Sequence, residues 1–449
     1  MKFSSFIHAL NPLNLHRQPF AVYIIVGFVC GLVAVAFHLS IEYVFEHVFA
    51  FQQNQPRWLS ILLMILAPAL GGLFVGFILF KVEPSGGGSG IPQSKAAYWN
   101  EGGILSFKET FWRYVLGVAS IGSGNSLGRE GPTVHLCASI ASVIGQRLKL
   151  REESFREMIP IGMGAGIAAA FNAPLAAVTF VIEELLLHEY KTKTIAGIVF
   201  ASVIAASVER IILGSNPVYN VNLPDFAIDW WMLICIPIGI FGGFSGNFFV
   251  QALLKSRQHF KNMKKVPLWL KPAIGGFLMG VVGTAVFLAT DHHGIFGLGY
   301  QDLNDALNGK LLGATLIILF VGKILATVLS YSSGGSGGIF APALFMGTMM
   351  GSSVGYFTSL VFTIDPVIIG GAALMGMGAF FAASIRAPFT SVLIIYEMTH
   401  NYSLVLPLMF GNMIAFNISE KLSQIHVYDA LLIQDGIYLN YHSNKDRSL

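Results

Sequence analysis

The residues best equipped for chemistry are few and grouped. Gly128–Pro132 reads GREGP and sets Glu130 between Gly128 and Gly131, with Pro132 following, at the edge of an apolar run. Two other clusters share its grammar: Gly86–Pro92 (GGGSGIP) and Gly334–Pro342 (GGSGGIFAP). Glycine opens backbone conformations closed to other residues, and proline suits the first turn of a helix. Each cluster is therefore expected to be an irregular loop that opens a helix. A helix start presents free N–H groups and a partial positive charge, which suits an anion. One such end contributes only about 0.3–2 kcal/mol, far less than dehydrating an anion costs. Several starts must converge, and three are present. Ser89, inside the first cluster, adds a hydroxyl donor.

Glu130 and the pair Glu183–Glu184 are acids within or bounding apolar sequence. An ionised glutamate at the centre of a bilayer costs about 2.5–3.5 kcal/mol or more. It is tolerated where amides bind its carboxylate or where it takes up a proton. A group with both options can alternate between acting as an anion and carrying a proton.

The elements that hold these residues are membrane helices. The chain has 449 residues, 54% hydrophobic and 11% charged, against about 25% charged in soluble domains. Mean hydropathy is +0.66. Leu59–Phe80, Trp230–Leu254, Pro272–Thr290, Ile324–Ile364 and Pro366–Ile385 carry no Asp, Glu, Lys or Arg. Each is long enough to cross a bilayer, which takes roughly 20 apolar residues. An all-α, polytopic membrane protein with on the order of ten or more hydrophobic segments is expected. The net charge of +3 leaves no nucleic-acid footprint.

Lys255–Lys271 carries six Lys and Arg, and Arg147–Arg156 is also basic, which places both loops in the cytoplasm. Residues 1–17 read as a retained cytoplasmic helix rather than a signal peptide. Cys30, Cys137 and Cys235 lie in apolar segments and read as small buried hydrophobes. Nothing in the sequence calls for a metal or a cofactor.

The chain contains a repeat. Gly162–Pro174 (GMGAGIAAAFNAP) and Gly376–Pro388 (GMGAFFAASIRAP) align without gaps at an offset of 214, with eight of thirteen positions identical. The alignment reaches Glu183 opposite Glu397, and GREGP lies opposite GIFAP at an offset of 210. Two halves are expected, residues 18–215 and 216–434, followed by a short cytoplasmic tail at 435–449. Duplicated halves with broken helices at the midplane are a hallmark of secondary transporters.

At this point the sequence resembles a known family. GSGIP at Gly88–Pro92, GREGP at Gly128–Pro132 and GIFAP at Gly338–Pro342, in that order, look like the anion-pathway signatures of CLC chloride channels and transporters. The likeness runs on through FNAPLAAVTFVIEE (Phe171–Glu184) to VYDALL (Val427–Leu432) and so covers nearly the whole chain. It implies two inverted halves of tilted, often incomplete helices, in a homodimer with one pore per subunit. It further implies that Ser89 and the Tyr428 hydroxyl donate to a central chloride, with the backbone amides of Ile339 and Phe340 completing the site. Gly88, Gly90, Pro92, Gly128, Gly131, Pro132, Gly338 and Pro342 would shape the helix starts. Glu130 would be the gating glutamate that competes with chloride, and Glu184 the internal proton-transfer glutamate.

Glu397 is left structural, Arg129 is given no transport role, and His135 is taken as a satisfied helix histidine. Members often carry an acid directly after GSGIP, whereas Gln93 and Lys95 stand there here, a departure that bears on intracellular proton entry. The serine of GSGIP fits the chloride-preferring pattern, and GREGP differs from the fluoride-exporting branch. The chain stops soon after Tyr428, so no nucleotide-binding CBS domains are expected. That suggests a bacterial or archaeal inner membrane, with both termini cytoplasmic.

The leading expectation is a chloride/proton antiporter embedded in the lipid bilayer, and the alternative is a passive chloride channel of the same fold. A remote third is an intramembrane serine hydrolase, because G-x-S-G occurs at Gly87–Gly90 and Gly334–Gly337. Such an enzyme needs a histidine base beside its serine.

Overall fold

Glycines set how closely the long helices approach. In the computed structural model, which describes residues 19–187, 191–214, 230–362 and 367–441, helix α1 (Pro19–Gln53) is followed by α2 (Arg57–Lys81), which lies against α11 (Lys271–Thr290). A Cβ on Gly72 would come within 2.2 Å of the Pro272 carbonyl oxygen, and one on Gly276 within 2.3 Å of that of Pro68. The two contacts are the same contact seen from either half, because Gly276 follows Gly72, and Pro272 follows Pro68, by the same 204 positions. Small residues permit this backbone approach, and dispersion then replaces a hydrophobic drive that lipid tails cannot supply.

The first half continues with α3 (Ile91–Asn100), α4 (Phe107–Gly122), α5 (Glu130–Arg147), α6 (Glu152–Arg156), α7 (Met158–Phe171), α8 (Pro174–Phe180) and α9 (Thr192–Leu213). The second runs from α10 (Cys235–Asn262) through α11 to α12 (Tyr300–Leu307), α13 (Ala314–Ser332), α14 (Phe340–Val361), α15 (Val367–Ser384), α16 (Pro388–Thr399) and α17 (Val405–Leu422). A last helix, α18 (Val427–Gln434), returns to pack against α3. The inner helices α5, α7 and α14 are buried on nearly all sides. The outer helices α1, α2, α9, α10 and α17 expose apolar faces, including Phe28, Leu70, Phe200, Phe244 and Phe410. That is the arrangement of a multi-pass protein whose outer surface meets lipid.

Two sequence expectations need correction. Seven described helices are long and apolar enough to cross a membrane, fewer than the ten or more segments expected. The charge-free stretch Ile324–Ile364 is not one span: it breaks after Ser332 and restarts at Phe340. The physical reason is the same in both cases. Apolar composition marks burial, and here much of it is burial in protein by short, interrupted helices. The expected N-terminal helix at residues 1–17 and the boundary at 215–216 lie outside the described residues. Of the expected tail, residues 435–441 dock on the body: the Asn100 side chain bonds the Tyr438 carbonyl and the Asn440 amide.

The pseudo-two-fold relation is clearest at Glu183 and Glu397. Glu397 accepts hydrogen bonds from the Leu175 and Ala176 amides at 3.0 and 2.8 Å, capping α8. Glu183 accepts from the Phe389 and Thr390 amides at the same two distances, capping α16. Each repeat's glutamate thus satisfies the free N–H groups of the other repeat's helix start.

Candidate anion and proton site

The three glycine clusters meet. Gly88 bridges to the loop of the second half: its N–H donates to the Gly335 carbonyl at 3.0 Å and its carbonyl accepts from the Gly337 N–H at 3.1 Å. Gly128 and Gly338 pair reciprocally at 2.7 and 2.6 Å. Irregular backbone at membrane depth must be satisfied by protein, and here the loop of each half satisfies that of the other. Gly90 caps α3 at φ +82°, a left-handed conformation that glycine adopts at no steric cost. A Cβ on Gly131 would stand 2.8 Å from Ser89 Cβ and 3.3 Å from Gly338 Cα, so the starts of α3, α5 and α14 share one point.

Glu130 is the first residue of α5 and is fully buried. Its carboxylate lies at the start of α14, where Oε2 accepts from the Ala341 amide at 3.3 Å. Oε1 accepts from the Tyr300 hydroxyl at 3.1 Å. The Arg129 guanidinium stands over the Tyr300 ring, 5.6 Å from its centroid. Tyr300 belongs to α12 and was not singled out in the sequence. It follows Gly299 in an otherwise ordinary short helix, and nothing local marks it.

Ser89 and Tyr428 are buried, and neither hydroxyl has a hydrogen-bond partner among the described residues. The Tyr331 hydroxyl lies near Ser89 without bonding geometry. Unsatisfied buried hydroxyls are costly, which is understandable where a polar occupant is to be received. Phe340, whose amide belongs to the α14 start, packs its ring among Phe171, Phe180 and Phe381 at 5.8, 5.1 and 4.8 Å between centroids. This aromatic collar fixes the helix start from both halves.

His135 is held as expected: its Nδ1 lies 2.9 Å from Ser94 Oγ and 3.0 Å from the Gly90 carbonyl. Its Nε2 is 3.3 Å from Glu109, without good hydrogen-bond geometry. Arg113, also fully buried, donates to the carbonyls of Ser85, Gly87 and Gly88 and to Glu109. Sequence reasoning passed over Arg113, which sits in a helix where a membrane-edge arginine is unremarkable.

Glu184 lies apart from Glu130, in a six-residue π turn, Val181–Leu186, that continues α8. Its Oε1 accepts from Lys95 at 2.6 Å, with both side chains 1% exposed. The Tyr428 phenol is within electrostatic reach of both Glu184 and Glu130. Among the described residues neither candidate nucleophile of the hydrolase reading is bonded to a histidine: Ser336 donates to Gly86 O, and Ser89 has no partner. All three cysteines are buried and free.

This geometry can be set beside known proteins. A family model described as voltage gated chloride channel matches residues 71–420. The chain belongs to the voltage-gated chloride channel (CLC) family. Among CLC relatives, the H(+)/Cl(-) exchange transporter ClcA of Vibrio vulnificus is 31% identical, over 91% of this chain and 88% of its own. ClcA of Vibrio campbellii is 32% identical, over 91% of this chain and 87% of its own. The crystal structure of a slow cyanobacterial Cl-/H+ antiporter superposes with a TM-score of 0.83 at 28% identity, covering 93% of this chain and 97% of that one. A eukaryotic CLC transporter shares the fold, with a TM-score of 0.77 at 18% identity. The chain is thus an all-α CLC membrane protein, and these relatives are transporters.

Proposed function

We propose that this CLC protein exchanges chloride for protons across a bacterial or archaeal inner membrane. The observation that carries the reading is the seat of Glu130. Its carboxylate occupies the start of α14, the place where converging helix ends favour an anion, and is held there by one amide and one hydroxyl. Chloride and this carboxylate compete for similar donors, and protonation of Glu130 hands the place to chloride. Ser89, Tyr428 and the amides of Ile339 and Phe340 hold the chloride further in. Glu184 supplies the inner end of the proton route. All of these residues come from one chain, in keeping with a homodimer that has one pore per subunit. Both basic segments approach the same C-terminal stretch: Arg156 stacks on Trp99, which touches Tyr441, and Arg257 pairs with Asp435 at 2.9 Å. That shared end is taken as cytoplasmic, together with both termini.

The test is a reconstituted vesicle with an outward chloride gradient and no proton gradient. Protons are expected to move uphill, against the chloride. Chloride conduction with no proton movement would make the protein a channel.

Tyr300 offers a finer check. Its bond to a charged carboxylate contributes about 1.5–3 kcal/mol to holding Glu130 in place. Tyr300→Phe is expected to raise apparent chloride affinity on the order of tenfold, since 1.4 kcal/mol is one decade, while proton coupling persists. Calorimetric titration with chloride measures it.

A further inference from the structure

Lys95 lies three residues beyond the GSGIP motif, and it does not pair with Glu184 alone. Its Nζ lies 2.6 Å from Glu184 Oε1 and 2.7 Å from Asp429 Oδ1. Asp429, in the first turn of α18, is 22% exposed, whereas Lys95 and Glu184 are 1% exposed. The Tyr441 hydroxyl donates to the same Asp429 oxygen at 3.0 Å. The cluster is therefore a line of three charged groups. One end is closed inside the protein and the other faces the end of the molecule that holds both basic loops.

We propose that Asp429 is a second proton-exchanging carboxylate, which loads protons from the cytoplasm and passes them through the Lys95 ammonium to Glu184. The proposal rests on the antiporter reading and on Glu184 as the inner proton-transfer residue. As found, two carboxylates and one ammonium carry a net charge of −1. One added proton makes the cluster neutral, and that proton has two seats of similar geometry. Seated on Asp429, it leaves Lys95 paired with Glu184. Seated on Glu184, it leaves Lys95 paired with Asp429.

The exchange between seats balances in two steps through a transient neutral amine. Lys95 first gives a proton to Glu184, one Nζ–H bond breaking as the O–H bond forms on Glu184; the amine lone pair so freed then takes the proton of Asp429, whose O–H bond breaks as a new Nζ–H bond restores the ammonium. Both N···O distances are already those of short charge-assisted hydrogen bonds, so the step needs little movement of heavy atoms. A buried ion pair with one carboxylate would hold Glu184 ionised and oppose its loading. The second carboxylate removes that one-sidedness. Tyr441 and the nearby charges of Glu183, His426 and Arg386 bear on the cluster but lie outside the line of transfer.

The experiment measures proton and chloride flux together in vesicles holding full-length wild type, Asp429→Asn, Asp429→Glu or Glu184→Gln. Asp429→Asn keeps the Lys95–Glu184 pair, so the fold is retained. It is expected to slow proton flux on the order of a hundredfold or more, the scale of one positioned proton-transfer group, while chloride still moves and the chloride-to-proton ratio rises. Asp429→Glu is expected to restore the ratio, which a merely structural role would not require. An unchanged ratio in Asp429→Asn alongside an uncoupled Glu184→Gln overturns the role of Asp429 and leaves the antiporter reading intact. Full coupling in Glu184→Gln overturns the relay together with the assignment of Glu184.

Discussion

Glu130→Gln is expected to abolish proton movement while chloride flux continues. The amide is nearly the size of the carboxylate, so the packing around residue 130 survives. What it loses is the charge that lets the side chain act as an anion at the start of α14, and with it the capacity to accept and release a proton. The Ala341 amide and the Tyr300 hydroxyl then face a neutral carbonyl oxygen, a weaker acceptor by roughly half, and chloride takes the place more readily. In the vesicle assay the proton signal should fall to background, and chloride efflux should persist at a rate no longer dependent on pH. Uphill proton transport by this variant would remove Glu130 from the mechanism.

Arg113→Met is expected to give the largest loss of stability of any change discussed. Arg113 is fully buried, yet one guanidinium binds three carbonyls of the Ser85–Gly88 loop and the Glu109 carboxylate. Methionine fills much of the volume but leaves Glu109 facing His135 alone and leaves the loop carbonyls without these donors. Removing one member of a buried pair costs about 3–5 kcal/mol. The loop that carries Ser89 should loosen, and chloride affinity should fall with it. Thermal unfolding in detergent and chloride titration read the two effects. Arg113→Lys should recover only part of either, because a single ammonium cannot reproduce the planar fork. Lys108→Met is the contrast: Lys108 is 63% exposed, and its 3.3 Å contact with Glu83 should be worth about 1 kcal/mol or less. Equal stability of the two methionine variants would refute the role given to Arg113.

Arg113 and Tyr300 show where reading the sequence stops. GREGP, GSGIP and GIFAP were legible because each needs unusual residues in a fixed local order. Glycines that free the backbone and a proline that starts a helix leave a signature in a few consecutive positions. The repeat was legible for the same reason, since GMGA and Ala-Pro recur at a constant offset. Arg113 and Tyr300 carry no such signature, and VYDALL, which contains Asp429, marks Tyr428 but says nothing of the partner Asp429 finds. Each of the three becomes notable only through a partner 26, 170 or 334 positions away. Apolar composition was legible as burial but not as crossing, so the broken helices were counted as spans.

The sequence by itself determined that this is a two-fold repeated membrane protein of the CLC family, with helix starts able to receive an anion and a glutamate beside them. Local backbone chemistry and hydropathy act over a few residues, and a linear chain records them in full. Only the tertiary structure decided that the Glu130 carboxylate sits on the opposite half's helix start, that Glu183 and Glu397 cap each other's repeats, and that Lys95 is shared by Glu184 and Asp429. Those are pairings between charged or polar groups far apart in the chain. They are fixed by the high cost of leaving any of them unpaired inside a membrane protein, and the packing of the two halves settles which partner each one finds.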